Sequence, residues 1–300
     1  MISTKPVWKT WMWRVYHRLP FKKELFSLIK LFYVPSEAVR QRLFFLGVFR
    51  VPCAEKEFLL RNYGYSFENT IFWTGLTGAY EGLSMSLWMK LCRDSETIVD
   101  IGANTGIFSL VARALNPRAR IYAFEPVERV FNRMRDNVAL NGFDIDCRME
   151  AVTNVDGHAV IFDVDDEHEY SATLNRSFYD AHPANAPLIE SRVVARRIDT
   201  FIRENGIPKI DLMKIDVEMH EPEVLEGMAE CLKAMRPALL IEVLTDEMGE
   251  RVHALLQGYD YLFFNIDEEH GAKRVGRVEK SAYRNVLACS ESTARRLNLL

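Results

Sequence analysis

The chain has 300 residues, 48% of them hydrophobic, with a formal net charge of −4. That is enough to bury one large α/β core plus an appendage, and the overall charge gives no reason to expect nucleic acid as a partner. The cysteines Cys53, Cys92, Cys147, Cys231 and Cys289 are scattered without a C-x-x-C pair. They give no sign of a zinc site or a disulfide framework, so a cytoplasmic location is expected.

Residues 1–50 carry ten Lys/Arg against Glu24 and Glu37, a balance of +8, which leaves −12 for the remainder. They are also aromatic, with Trp8, Trp11, Trp13, Tyr16, Phe21, Phe26, Phe32 and Tyr33. The apolar run at residues 25–34 is interrupted by Lys30 and falls well short of the roughly 20 residues a membrane span needs. No uninterrupted apolar core leads to a small-residue cleavage site, so neither a transmembrane helix nor a signal peptide is expected. Two readings stay open for this end. It is either a helical appendage, residues 1–75, packed on the catalytic part or a second subunit, or a basic aromatic surface peripheral to the inner membrane face.

Residues 97–101 form an apolar, β-branched run that breaks into the turn Gly102-Ala103-Asn104-Thr105-Gly106. The run suits a strand covered on both faces, and residues 107–115 suit a helix. Strand, glycine turn and helix together make a nucleotide site, because glycine admits close backbone approach and the helix start offers unpaired N–H groups. The spacing departs from G-x-G-x-x-G, with Asn104 and Ile107 in the second and third glycine positions, and no Gly-Lys-Ser/Thr is present. A dinucleotide or a Walker-type triphosphate site is therefore disfavoured. What remains, D-x-G-x-N-x-G from Asp100, resembles motif I of S-adenosylmethionine (SAM)-dependent methyltransferases. Residues 120–124 read as the next strand, with Glu125 at its tip where two ribose hydroxyls can donate to it. Pro126 stops that strand, and a helix at 128–140 follows.

Residues 146–152 read as a third strand, with Glu150 near its end as a candidate partner for an adenine amine. Asp156-Gly157 turns into a strand at 159–164. The polar stretch 165–187 is longer than most connections and is a candidate lid or acceptor loop. After it come a strand at 189–195, a short helix at 199–205 stopped by Gly206, a strand at 210–215 ending at Asp216, a helix at 222–235 and a strand at 239–243 containing Glu242. This alternation predicts an α/β fold, a mostly parallel, doubly wound sheet with its ligand at the carboxyl ends.

Five blocks occur in one order: Gly78-Ala-Tyr-Glu81, Asp100-Ile-Gly-Ala-Asn-Thr-Gly106, Ala123-Phe-Glu-Pro126, Arg197-Ile-Asp-Thr-Phe201 and Lys214-Ile-Asp-Val-Glu218. Through them the run from about residue 80 to 288 resembles the FkbM family of methyltransferases. The departure is Met219-His220, where that family more often has a glycine and a small residue. The resemblance implies a Rossmann-like class I methyltransferase domain at residues 76–300, ended by an antiparallel pair at 261–266 and 284–288. It also implies SAM as cofactor and O-methylation of a hydroxyl on a small molecule, sugar or glycolipid. Cofactor contacts are expected from Asp100, Gly102, Ala103, Asn104, Gly106, Glu125, Pro126 and Glu150, with Glu81 reaching the methionine tail.

Asp216, Glu218 and His220 are the expected catalytic residues. An attacking alcohol must lose its proton, and an imidazole titrates near neutrality. Glu218 shares the side of Asp216 if the backbone stays extended. The alternative for His220 is a surface residue capping the next helix, whose amino end Glu221 is expected to meet. With Glu242 these groups have the chemistry to hold a divalent ion, but ligand spacing on a loop is weak evidence and no metal is expected. Two other functions stay open. One is RNA ribose 2′-O-methylation recruiting Lys214, which the acidic catalytic half opposes; the other is SAM or nucleotide binding without catalysis.

Overall fold

The computed structural model describes residues 21–40, 43–64, 66–78, 81–164, 172–176, 178–179 and 187–300. The aromatic cluster at residues 8–16 and most of the expected acceptor loop lie outside the described residues. The described chain begins with α1 (Lys22–Lys30), a hairpin of β1 (Gly47–Cys53) and β2 (Lys56–Asn62), and helices α2 (Ser66–Thr74) and α3 (Gly82–Arg93). Next come β3 (Thr97–Ile101), α4 (Ile107–Leu115), β4 (Arg120–Phe124), α5 (Glu128–Leu140), β5 (Asp146–Arg148), β6 (Glu150–Val152), β7 (Gly157–Val164) and β8 (Leu188–Arg196). The chain continues through α6 (Ile198–Asn205), β9 (Leu212–Ile215), α7 (Glu221–Glu226), α8 (Ala229–Ala234), β10 (Ala238–Glu242) and α9 (Asp246–Leu256). Strands β11 (Leu262–Asp267), β12 (Gly271–Val275) and β13 (Asn285–Cys289) precede α10 (Glu291–Arg296).

The main sheet has the order β12-β11-β13-β10-β9-β3-β4-β5. Strands β10, β9, β3, β4 and β5 run parallel, and β13, β11 and β12 extend the sheet antiparallel. This is the mostly parallel, doubly wound α/β architecture that the strand-helix alternation predicts. All five residues of β3 are buried, as a β-branched run sandwiched between helices requires. Strand order reverses between β3 and β9, the switch point outside which such sheets bind ligands.

Four expectations need correction. The segment at 146–152 is two strands, because the chain leaves the main sheet at Met149: β5 pairs with β4, while β6 joins β8 and β7 in a separate small sheet. The carboxyl-terminal antiparallel pair is a trio. Its third member, β12, is a half-exposed edge strand carrying Lys273 and Arg274, charges that discourage further pairing but also hide the strand from a hydrophobicity pattern. The amino-terminal segment is not wholly helical, since β1 and β2 bury Phe49, Val51 and Cys53 against Phe58, Leu60 and Asn62 in strict alternation. That hairpin shares its core with the sheet domain: Phe49, Leu60 and Trp73 belong to one buried cluster with Leu110, Val111 and Met134. The side-chain amides of Asn137 on α5 and of Asn141 at its C-cap stand in for a neighbouring strand, accepting from the N–H groups of Arg61 at 3.0 Å and Leu59 at 2.7 Å.

The fourth correction concerns the helix expected at 222–235, which is broken into α7 and α8 at Gly227. A Cβ there would lie 2.1 Å from the Thr153 carbonyl oxygen, so the small sheet presses directly on the break. Asp199 repairs it. The buried carboxylate accepts from the N–H groups of Glu230 at 3.1 Å and Cys231 at 2.9 Å, acting as an N-cap supplied from another helix. Asp199→Ala leaves both donors without partners and is expected to cost about 1–3 kcal/mol. Urea unfolding of the two proteins measures this.

Candidate active site

A cleft of about 370 Å³ opens at the carboxyl ends of β3, β4 and β9. Gly102, Ala103, Asn104, Glu125, Pro126, Glu150, Glu81, Asp216, Glu218 and His220 all line it. Two expected cofactor residues do not. Gly106 is the left-handed residue entering α4, packed against Met134. Asp100 is buried behind the cleft floor, where it accepts from the Ser109 hydroxyl at 2.7 Å.

The glycine turn is shaped first by the protein. Gly102 has φ +77°, and a Cβ on it would lie 1.8 Å from the Asp216 carbonyl oxygen. Its N–H and that of Ala103 both donate to the Phe124 carbonyl, at 3.0 and 2.9 Å. Asn104, also left-handed with φ 53°, donates its N–H to Glu125 Oε2 at 3.1 Å. Glu125 Oε1 accepts from the Val127 N–H at 2.9 Å. Burial outweighs these bonds and pushes the Glu125 carboxyl up to about 7.

Lys214, only 4% exposed, is the centre of the electrostatics. Burial alone would lower its pKa, but Asp216, Glu81 and Asp100 more than compensate and raise it. Its ammonium is hydrogen-bonded to Asp216 and lies 4.5 Å from the centre of the Phe108 ring, a cation–π contact. Glu81, the residue before α3, accepts from Asn285 Nδ2 at 2.8 Å, and burial raises its pKa.

Beyond β9 the backbone does not stay extended: Glu218 and Met219 are both left-handed, with φ 52° and 71°. Glu218 still lines the cleft with Asp216. The turn is held from within the expected acceptor loop, where the Thr173 hydroxyl donates to the Glu218 carbonyl at 2.5 Å and Asn175 Nδ2 donates to that of Met219 at 3.2 Å. His220 precedes α7 but makes no side-chain cap. Its Nε2 lies 2.8 Å from Thr153 Oγ1, and burial lowers its pKa. Glu221 is fully buried and accepts from the Val217 N–H at 2.9 Å. Glu150 accepts from Arg196 Nε at 3.0 Å. Among the described residues, no group of three or more His, Cys, Asp and Glu side chains is arranged to hold a metal ion.

The family profile described as methyltransferase FkbM domain matches residues 100–263. The chain belongs to the FkbM methyltransferase family. The AMB antimetabolite synthetase AmbE of Pseudomonas aeruginosa is 28% identical over 177 residues, 49% of this chain and 8% of that protein. The methyltransferase sdnD of Sordaria araneosa is 30% identical over 44% of this chain and 60% of its own length. The 31-O-demethyl-FK506 methyltransferase FkbM of Streptomyces tacrolimicus is 29% identical over 56% of this chain and 74% of its own. The chain thus spans less than two thirds of AmbE and sdnD. Met219 holds a left-handed φ that glycine adopts more readily.

Sequence reasoning missed the contribution of α2 to this FkbM site. Ser66 and Phe67 line the cleft, and the next residue, fully buried Glu68, accepts from the Thr105 hydroxyl at 2.8 Å. The available signal was an acid at helical spacing from Ile71 and Phe72, both buried. Burial pushes Glu68 up to about 7 and Glu221 up to about 8. These carboxyls hold protons in the folded state that the unfolded chain has released above about 4.5, so stability falls as pH rises from about 4.5 to 8. Urea titrations across that range are expected to show the fall, and Glu221→Gln is expected to flatten it.

Proposed function

We propose that the protein transfers a methyl group from SAM to a hydroxyl of a small molecule or sugar. The observation that carries this reading is the convergence on one switch-point cleft of the glycine turn, Glu125, and the Asp216-to-His220 loop. The residues present fit the cofactor. Each Glu125 oxygen accepts one backbone N–H and keeps lone-pair capacity for a ribose hydroxyl. Gly102, Ala103 and Asn104 would hold the nucleoside side, Pro126 and Glu150 its outer edge, and Glu81 the methionine end. When bound, SAM supplies a methyl group already activated by its sulfonium.

The chain's own contribution is alignment and proton removal. His220 is the base we assign. Burial lowers its pKa and favours the neutral imidazole, Thr153 at Nε2 and Glu223 at 3.5 Å from Nδ1 orient the ring, and it lines the cleft with Asp216 and Glu218. Asp216, bonded to Lys214, and Glu218 position the acceptor hydroxyl. The relative from Streptomyces tacrolimicus, a 31-O-demethyl-FK506 methyltransferase, supports oxygen as acceptor. The acidic lining, Glu81, Glu150, Asp216 and Glu218, weighs against an RNA phosphate backbone. Among the described residues no helix is long and apolar enough to cross a membrane.

His220→Ala is expected to lower kcat by about 10²-fold or more while SAM affinity, measured by calorimetry, stays within about twofold. The wild-type rate is expected to rise with pH along a limb below 6.5, the ordinary histidine value. A kcat unchanged in His220→Ala rules out the histidine as base. Glu125→Gln is expected to weaken SAM binding by about 1.5–3 kcal/mol, since hydroxyl bonds to a carboxylate are the stronger kind. Because those bonds favour the charged form of a carboxyl at about 7, SAM binding should release protons below that pH. Calorimetry in buffers of differing ionisation enthalpy detects the release.

A further inference from the structure

Helix α1 has two apolar faces. The inner one docks on α2: Phe26 lies 5.4 Å from the Trp73 ring centre, and the Lys30 ammonium donates to the Phe72 carbonyl at 2.5 Å. Among the described residues nothing covers the outer face. Leu25 and Leu28 share one side of the helix, with Phe21 at its left-handed N-cap and Phe32 just past its end, and the four are 45%, 57%, 74% and 83% exposed. Leu31, Tyr33 and Val34 extend the exposed apolar surface just beyond the helix.

We infer that this face docks on an anionic lipid surface. An apolar stripe of this kind is what an in-plane interfacial helix buries at the headgroup boundary. The charge selects the partner. The stripe sits in the +8 segment at residues 1–50, while the rest of the chain is −12, so attraction to acidic headgroups adds to apolar burial. The same charge opposes the main competitor, a two-fold dimer through α1, because two net-basic segments would be brought together. The residues just ahead of α1 continue the chemistry, with Trp8, Trp11, Trp13 and Tyr16 among Lys5, Lys9, Arg14 and Arg18; Trp and Tyr are favoured where hydrocarbon meets water. α1 packs on the last turn of α2, whose first turn contributes Ser66 and Phe67 to the cleft. The docking stands independently of the methyl-transfer reading.

Co-sedimentation of the full chain with phosphatidylcholine vesicles, with and without phosphatidylglycerol, tests the inference. The protein is expected to pellet with the phosphatidylglycerol vesicles, to remain soluble with phosphatidylcholine alone, and to be released by added salt. Leu28→Glu and Phe32→Glu are each expected to weaken partitioning by about tenfold or more, the factor for one large apolar side chain withheld from burial. Their thermal midpoints should match the wild type, since both positions are exposed. Retention in the supernatant with anionic vesicles overturns the inference, as does undiminished pelleting of the Leu28→Glu/Phe32→Glu double variant. A concentration-dependent dimer, dispersed by that double variant and indifferent to vesicles, assigns the face to a second copy instead.

Discussion

The site depends on one close approach, that of the Gly102 Cα to the carbonyl oxygen of Asp216. A methyl group at position 102 would lie 1.8 Å from that oxygen, so only glycine lets the β3 turn nest against the end of β9. The neighbouring bonds follow the same geometry: the Asp216 N–H donates to the Ile101 carbonyl at 3.1 Å, and the Gly102 N–H reaches back to Phe124. Three strand ends are thereby pinned together at the switch point. Glu125 on one and Asp216 on another face a single cleft as a consequence. The glycine that looks from the sequence like an accommodation to ligand is, in the fold, an accommodation to the neighbouring strand.

Behind that pin lies a buried charge cluster. Lys214 balances Asp216, Glu81 and Asp100, and a buried cation surrounded by carboxylates is tolerable only because they compensate its desolvation. Asp100 acts through this cluster and not by touching the cleft. The loop beyond β9 carries backbone strain, with two successive left-handed non-glycine residues, a conformation that surrounding contacts must enforce. Thr173 and Asn175 supply those contacts, and the half-buried Met219 side chain packs on the core beneath the sheet. The methionine thus accepts a conformation glycine favours and contributes apolar packing that glycine lacks.

The amino-terminal segment is both scaffold and surface. Its hairpin and α2 share the core with α4 and α5, and Glu68 ties α2 to the glycine turn through Thr105. Its outer stripe of Phe21, Leu25, Leu28 and Phe32 shares in none of this.

Local sequence determined the elements whose pattern is strong and whose partners are near in the chain. Strand β3, helices α4 and α5 and strand β4 fall where β-branched runs, the glycine turn and Pro126 predict them, and the position of Glu125 at a strand tip, on the cleft, was legible for the same reason. Elements whose form is set by distant contacts were not legible. The split of residues 146–152 between two sheets, the break at Gly227 imposed by Thr153 and the bridging of that break by Asp199 each depend on a surface brought up from elsewhere. The same holds for the retreat of Asp100 behind the cleft, the joining of Glu68 to the turn and the centring of charge on Lys214. A pattern along the chain records which face of an element is apolar, but only the folded arrangement decides which backbone oxygen or buried charge that face will meet.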